Sequence, residues 1–245
     1  MGRLIALLYG VVAYVGFLAT FLYAIGFVHN IFVPKAIDVM GAGESLASFW
    51  NALIINVLLL GIFAVQHSIM ARPAFKTRWT KIISPAVERS TYVMITNVIL
   101  WGIFCLWRVM PDLVWVVENE TFALILNIVA ALGWLMVLTG SFMINHFDLF
   151  GLRQVWLNFK GAPYTPVPFK IRGLYKLVRH PLMTGFFLAF WATPVMSEGH
   201  LLFALLTSGY ILIALYLEEH DLEESLGDDY TNYKKRVGKL IPGIK

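Results

Sequence analysis

Residues 179–233 read RHPLMTGFFLAFWATPVMSEGHLLFALLTSGYILIALYLEEHDLEESLGDDYTNY. Two apolar runs, 182–196 and 201–217, are parted only by Ser197-Glu198-Gly199-His200. Arg179-His180-Pro181 guards the entry, and Glu218-Glu219 marks the exit. Ionisable residues at the edge of apolar segments are costly in lipid, so their presence points to function. Pro181 has no N–H and a fixed φ, which suits the first turn of a helix, and it pushes His180 toward an extended shape. The unpaired backbone donors of that helix start form an expected anion site.

The rest of the 245-residue chain agrees with a membrane reading. Hydrophobic residues make up 59% and charged residues only 14%, and the mean hydropathy is +0.72. That balance excludes an ordinary soluble domain. The net charge of +4 reflects Lys and Arg in short loops between apolar runs, and no nucleic-acid-binding module is visible. Cys105 is the single cysteine, so neither a disulfide framework nor a cysteine metal site is available. The histidines are too scattered for a local zinc motif, and no metal is expected.

Six apolar segments can be drawn, at 4–28, 49–71, 92–107, 122–147, 182–196 and 201–217. The first is uncharged and too long for a signal core, so it is expected to be retained as a spanning helix. The third is marginal in length, and the last two are short against the roughly 20 residues of an ordinary span. The expected fold is an all-α, polytopic helix bundle with five to six transmembrane segments, the last two forming a short hairpin. Residues 1–245 are expected to be a single membrane-embedded domain.

Lys and Arg fall in alternate loops. Arg72, Lys76, Arg78, Lys81 and Arg89 follow segment two, Arg153 to Arg179 follow segment four, and Lys234, Lys235, Arg236, Lys239 and Lys245 form the tail. The other loops hold only Lys35 and Arg108. By the positive-inside rule both termini are expected to be cytoplasmic, with six crossings, and a bacterial inner membrane is the expected location. His67, His146, Asp148, Arg179, His180, Glu218 and Glu219 then share one membrane face. The stretch 151–176 is expected to hold a short interfacial helix and a loop that serves as an anchor or a lid. Asn51, Asn56, Asn97, Asn127 and Asn145 are expected to bond between helices.

Arg179-His180-Pro181, a hydrophobic hairpin, and then Glu218, Glu219, Leu222, Gly227, Tyr230 and Tyr233 resemble the membrane methyltransferases related to isoprenylcysteine carboxyl methyltransferase. The family's usual tyrosine two positions after the proline is Met183 here. Four further stretches, AVQHSIMARPAFK at 64–76, PAVERSTYV at 85–93, HFDLFGLRQVW at 146–156 and AFWATP at 189–194, are similar to the bacterial methanethiol S-methyltransferases. The piece around Gln66-His67-Ser68 is also similar to NnrU-like membrane proteins. The resemblance implies transfer of a methyl group from S-adenosylmethionine to a small thiol, methanethiol, giving dimethyl sulfide. The alternatives are methylation of a lipidated cysteine or other lipid acceptor, and a non-catalytic NnrU-like protein. The implied partners are the thiol and the lipid bilayer, with no nucleic acid and no obligate protein partner.

A site for that donor needs groups for its carboxylate, ammonium and ribose hydroxyls and a wall beside its sulfonium. Arg179, His180 and the helix start at Pro181 suit the carboxylate, Glu218 and Glu219 the ammonium or ribose, and Tyr230 and Tyr233 the wall. A thiol is mostly protonated at neutral pH, and its thiolate is the nucleophile. His146 with Asp148 close behind, and His67, are the candidate bases. Hydrogen bonding of either histidine between helices is an equal alternative.

Overall fold

The computed structural model describes residues 2–244. Along the chain, α1 spans Arg3–His29, α2 Phe49–Ala71, α3 Pro73–Trp79 and α4 Pro85–Leu106. The strand β1 (Leu113–Val116) precedes α5 (Glu120–Ile144), α6 (His146–Leu149) and α7 (Leu152–Lys160). A 3-10 turn at Gly173–Lys176 leads to α8 (Pro181–Trp191), β2 (Val195–Ser197), α9 (Glu198–Leu226) and α10 (Asp228–Arg236).

Five helices, α1, α2, α4, α5 and α9, are long and apolar enough to cross a membrane. Their outward side chains suit lipid: Ile54, Leu58, Ile62 and Val65 all lie exposed on α2. With no water in the bilayer core, intrahelical bonding is what satisfies each backbone amide. The marginal third segment gains its length from the polar turn before it. Ser84 accepts from the Ala86 amide and Pro85 takes the first helical position, so α4 reaches 22 residues.

The hairpin departs from the expected pair of short arms. α8 has only 11 residues, about 17 Å at 1.5 Å per residue, because Pro194 follows closely and cannot continue a helix. α9 instead has 29 residues. Ser197 caps it by accepting from the His200 amide, and the acidic run from Glu218 stays helical to Leu226. A small antiparallel ribbon, unexpected in an all-α chain, pairs β1 with β2 in the register Leu113↔Ser197, Trp115↔Met196 and Val116↔Val195. The Trp115 indole donates to the Thr193 carbonyl at 3.2 Å.

The contacts divide the chain into two compact units. The first comprises Met1–Met110 and Asn145–Pro168. In it α1 packs on α4 and α7, and α2 packs on α4. Asn97 of α4 donates to the Ala13 carbonyl of α1 at 3.1 Å, the kind of interhelical bond expected of it. Asn56 instead brackets the Arg108 backbone, and Asn145 accepts from the Asp148 amide to start α6.

The second unit comprises Pro111–Ile144 and Phe169–Lys245. Its centre is the pair α5 and α8, whose backbones meet at Gly133 and Gly185. A Cβ at either glycine would lie 2.6 Å from the other's carbonyl oxygen. Small residues permit that closeness, and in lipid such packing replaces the hydrophobic drive that water supplies elsewhere. α8 also packs on α9, and α9 on α10.

Candidate functional site

In the second unit, α8 cannot begin before Pro181, so Arg179 and His180 run extended. They pair with the tail: the Arg179 amide donates to the Gly238 carbonyl at 2.8 Å, and the His180 amide to the Lys239 carbonyl at 3.2 Å. Thr184 donates to the Leu240 carbonyl at 2.9 Å. Residues near the end of the chain are thereby fastened to the start of α8.

Glu219 is the hub of the side chains gathered there. Arg179 Nε donates to Glu219 Oε1 at 2.8 Å, and His180 Nε2 lies 3.1 Å from the same oxygen. Lys239 Nζ is 3.1 Å from Glu219 Oε2, and Lys234 Nζ is 3.8 Å from it. Lys234 Nζ also meets Glu223 Oε1 at 2.6 Å. Arg179 Nη1 donates to the backbone carbonyls of Lys234 and Val237. Arg179, His180 and Glu219 are all buried. Glu218, one residue away on the helix, is half exposed and 3.7 Å from His180 Nδ1. The sequence pair therefore splits into a buried acceptor and a solvent-facing neighbour.

Tyr230 and Tyr233 of α10 are both buried and pack edge to face, and Phe169 meets both. Their hydroxyls differ. Tyr233 donates to the Tyr175 carbonyl at 2.6 Å, whereas the buried Tyr230 hydroxyl finds no partner among the described residues. Burial pushes the Tyr233 hydroxyl up to about 12, against the opposing pull of Arg179. It raises the Tyr230 hydroxyl as well, assisted by the negative charge of Glu219. Both phenols are neutral donors at physiological pH.

Beside this cluster lies a groove of about 340 Å³, lined by Arg179, Tyr216, Glu219, His220, Glu223, Lys234 and Lys239. Its volume falls within the range of about 300–1,000 Å³ typical of small-molecule sites. It carries carboxylates, ammonium groups and one tyrosine ring. Lys234, Lys239, Glu223 and Tyr216 were not singled out as site residues from sequence. The available signal was the i,i+4 spacing of Glu219 and Glu223, which places both on one face of α9.

The remaining candidates belong to the first unit. His67 on α2 is bonded at both ring nitrogens: Nε2 lies 2.7 Å from the Tyr92 hydroxyl and Nδ1 3.3 Å from Thr96 Oγ1. His146 is buried at the start of α6, with Nε2 2.9 Å from the Tyr14 hydroxyl and the rings of Phe17, Phe147 and Phe150 around it. Burial lowers its pKa below the ordinary histidine value. The carboxylate of Asp148 goes to Arg153 at 2.8 Å and to the Tyr164 hydroxyl at 3.2 Å. Arg153 in turn donates to the Thr165 carbonyl and Thr165 Oγ1, both at 2.8 Å, which fastens the segment after α7. Among the described residues, no group of three or more His, Cys, Asp or Glu is placed to hold a metal ion.

The long apolar helices define an integral membrane protein, and an ion-paired cluster with a mixed-charge groove lies at the end of α9. The chain is 49% identical over 242 residues to methanethiol S-methyltransferase of Mycobacterium tuberculosis, covering 99% of this chain and 98% of that one. It is 51% identical over 240 residues to methanethiol S-methyltransferase 1 of Bradyrhizobium diazoefficiens, covering 98% and 83%. To nurim of Rattus norvegicus it is 28% identical over 183 residues, covering 71% and 70%. The chain belongs to the methanethiol S-methyltransferase family. No family model and no solved structure matches it.

Proposed function

We propose that this membrane protein methylates methanethiol to dimethyl sulfide, with S-adenosylmethionine as the methyl donor. The observation that carries the reading is the 49% identity to a methanethiol S-methyltransferase across nearly the whole of both chains.

The residues of the second unit fit the donor. The orphaned Tyr230 hydroxyl is a buried donor in want of an acceptor, and an unpaired buried polar group costs about 1–3 kcal/mol unless a ligand completes it. Lys234 and Lys239 suit the donor's carboxylate, Glu219 and Glu223 its ammonium and ribose hydroxyls, and Tyr216 an apolar wall. Arg179 and His180 hold Glu219 in place, Pro181 sets the helix start that carries them, and Tyr233 fixes α10 through Tyr175. Glu218 supplies negative charge at the rim.

When bound, the donor supplies a methyl group on a sulfonium, which needs little covalent help from the protein. The chain's contribution is to align the thiol sulfur with that methyl carbon, exclude water and remove the thiol proton. His67 and His146 are the proton acceptors we assign, both set among apolar rings. Asp148 supports His146 by holding the segment around α6 through Arg153 and Tyr164. The basic stretches 72–89, 153–179 and 234–239 support a cytoplasmic placement of those loops and of both termini, as in a bacterial inner membrane.

Headspace detection of dimethyl sulfide from purified protein, given S-adenosylmethionine and methanethiol, tests the reading. Product that depends on both substrates is the expected result. Donor binding without product would redirect the assignment to a lipid-borne acceptor, and absence of both would end it.

A further inference from the structure

In the second unit Val178 pairs with Gly238 in a parallel bridge, and the segment that follows Gly238 folds back on itself as a hook. The Lys239 amide donates to the Ile244 carbonyl and the Ile244 amide to the Ile241 carbonyl, both at 3.1 Å. Pro242 and Gly243 make the bend, with Gly243 at φ 80°, a conformation that glycine adopts without steric cost. A Cβ at Gly238 would lie 2.6 Å from the Ile244 carbonyl oxygen, so the hook is tightly closed.

This hook leaves its apolar tips uncovered. Ile241 and Ile244 are 56% and 61% exposed, and Leu177, next to the bridged Val178, is 56% exposed. Basic side chains flank these tips: Arg172, Lys176, Lys235 and Arg236 are all exposed. Arg236 Nε donates to the Asn232 carbonyl at 3.1 Å, and none of these cations is ion-paired among the described residues. Asp228 and Asp229 sit at the opposite end of α10, in its first turn, and Glu223 is taken by Lys234.

The long helix α9 fixes the depth of this surface. Leu212, Ile213 and Tyr216 lie exposed on it, as suits a helix set in lipid, and charge begins just beyond them at Glu218. Glu219 holds Arg179, whose amide bonds the Gly238 carbonyl at 2.8 Å. The hook therefore lies where α9 leaves the apolar layer, and its Lys239 lines the groove beside Glu219. Exposed apolar tips ringed by cations at that level match a leaflet of anionic headgroups over acyl chains.

We propose that the surface formed by residues 172–177 and 235–244 docks on anionic phospholipid. Its three apolar tips enter the edge of the acyl layer, and its cations meet the lipid phosphates.

The experiment places a nitroxide label on the full-length protein, in a Cys105→Ser background, at Ile244→Cys or at Leu177→Cys. Leu177 lies outside the hook, so its label reads docking even where one at position 244 disturbs the turn. The protein is set in nanodiscs of phosphatidylcholine alone and of equal parts phosphatidylcholine and phosphatidylglycerol. Power saturation with oxygen and with a water-soluble nickel chelate then reads whether each label lies in lipid or in water. Leu212→Cys on α9 and Asp228→Cys at the acidic start of α10 give the lipid and water references. Both test labels are expected to be lipid-like in the discs with phosphatidylglycerol and water-like in those without. Lys235→Gln combined with Arg236→Gln should move the ratio of lipid-buried to water-exposed label about 30-fold toward water, the effect of taking two cations from an anionic surface. Labels that stay water-like in phosphatidylglycerol, that are lipid-like in both discs, or that the charge variant leaves unmoved overturn the proposal. A label shielded from both reagents also overturns it, since a second copy of the chain would then cover the patch.

Discussion

Arg179 Nε donates to Glu219 Oε1 at 2.8 Å across forty residues of sequence, with both side chains almost wholly buried. Removing Glu219 takes from the buried Arg179 guanidinium its carboxylate partner, a loss of about 3–5 kcal/mol. Glu218 is 51% exposed, and its removal is expected to cost under about 0.5 kcal/mol. Thermal unfolding in detergent should therefore show a large drop for Glu219→Ala and a small one for Glu218→Ala. Equal drops would mean that the cluster does not hold α9 to the start of α8.

The two buried tyrosines of α10 make opposite predictions. Tyr233→Phe deletes a bond to the Tyr175 carbonyl and should destabilise by about 1 kcal/mol. Tyr230→Phe deletes a hydroxyl that has no partner among the described residues, so stability should hold or rise. Donor binding, followed by calorimetry, should weaken in Tyr230→Phe by about tenfold, the equivalent of one hydrogen bond of roughly 1.4 kcal/mol. Unchanged affinity would remove Tyr230 from the donor site.

Gly185→Ala places a methyl group 2.6 Å from the Gly133 carbonyl oxygen and 2.9 Å from the Val137 nitrogen. Backbone cannot swing aside as a side chain can, so α5 and α8 must separate. Overpacking of this kind costs about 1–3 kcal/mol. Reduced yield of monodisperse protein and a lower Tm are expected, whereas Gly209→Ala, whose added methyl meets nothing within 4 Å, should behave as wild type.

Burial lowers the pKa of His146 from the ordinary value, which is about 6.5. Above that pH the side chain is neutral in folded and unfolded chains alike, and its contribution is fully present. As pH falls through 6.5 the unfolded chain takes the proton first, so stability is lost progressively toward the lower folded value. Thermal unfolding at pH 7.5, 6.5 and 5.5 should show a decline on the acid side that is shallower in His146→Gln. An identical decline in both proteins would assign the acid sensitivity elsewhere.

Much of this architecture was legible in the sequence because lipid is an unforgiving solvent. A run of apolar residues must become a helix there, and five of the drawn segments did so at full spanning length. The short fifth segment, α8, was marked by Pro181 and Pro194 at its ends. The β1–β2 ribbon was not legible, because three or four residues on each side carry no periodicity that separates them from a loop. Among the site candidates, the ordered letters from Arg179 to Tyr233 named residues that the fold does gather around Glu219. Their division of labour was not readable: Glu218 and Glu219 are the same letter, and only burial tells them apart.

By itself the sequence determined the membrane class, the helical type of its long segments and the ordered polar letters, since these follow from hydropathy, proline placement and local spacing, and it left the number of spanning helices at five or six. The tertiary structure alone decided which polar atoms meet. It gave Arg179 to Glu219 rather than to open solvent, Asp148 to Arg153 and Tyr164, and the two ring nitrogens of His67 to Tyr92 and Thr96. Such pairings join residues up to tens of positions apart. They depend on distances of a few tenths of an ångström, which helix packing sets and no local pattern encodes.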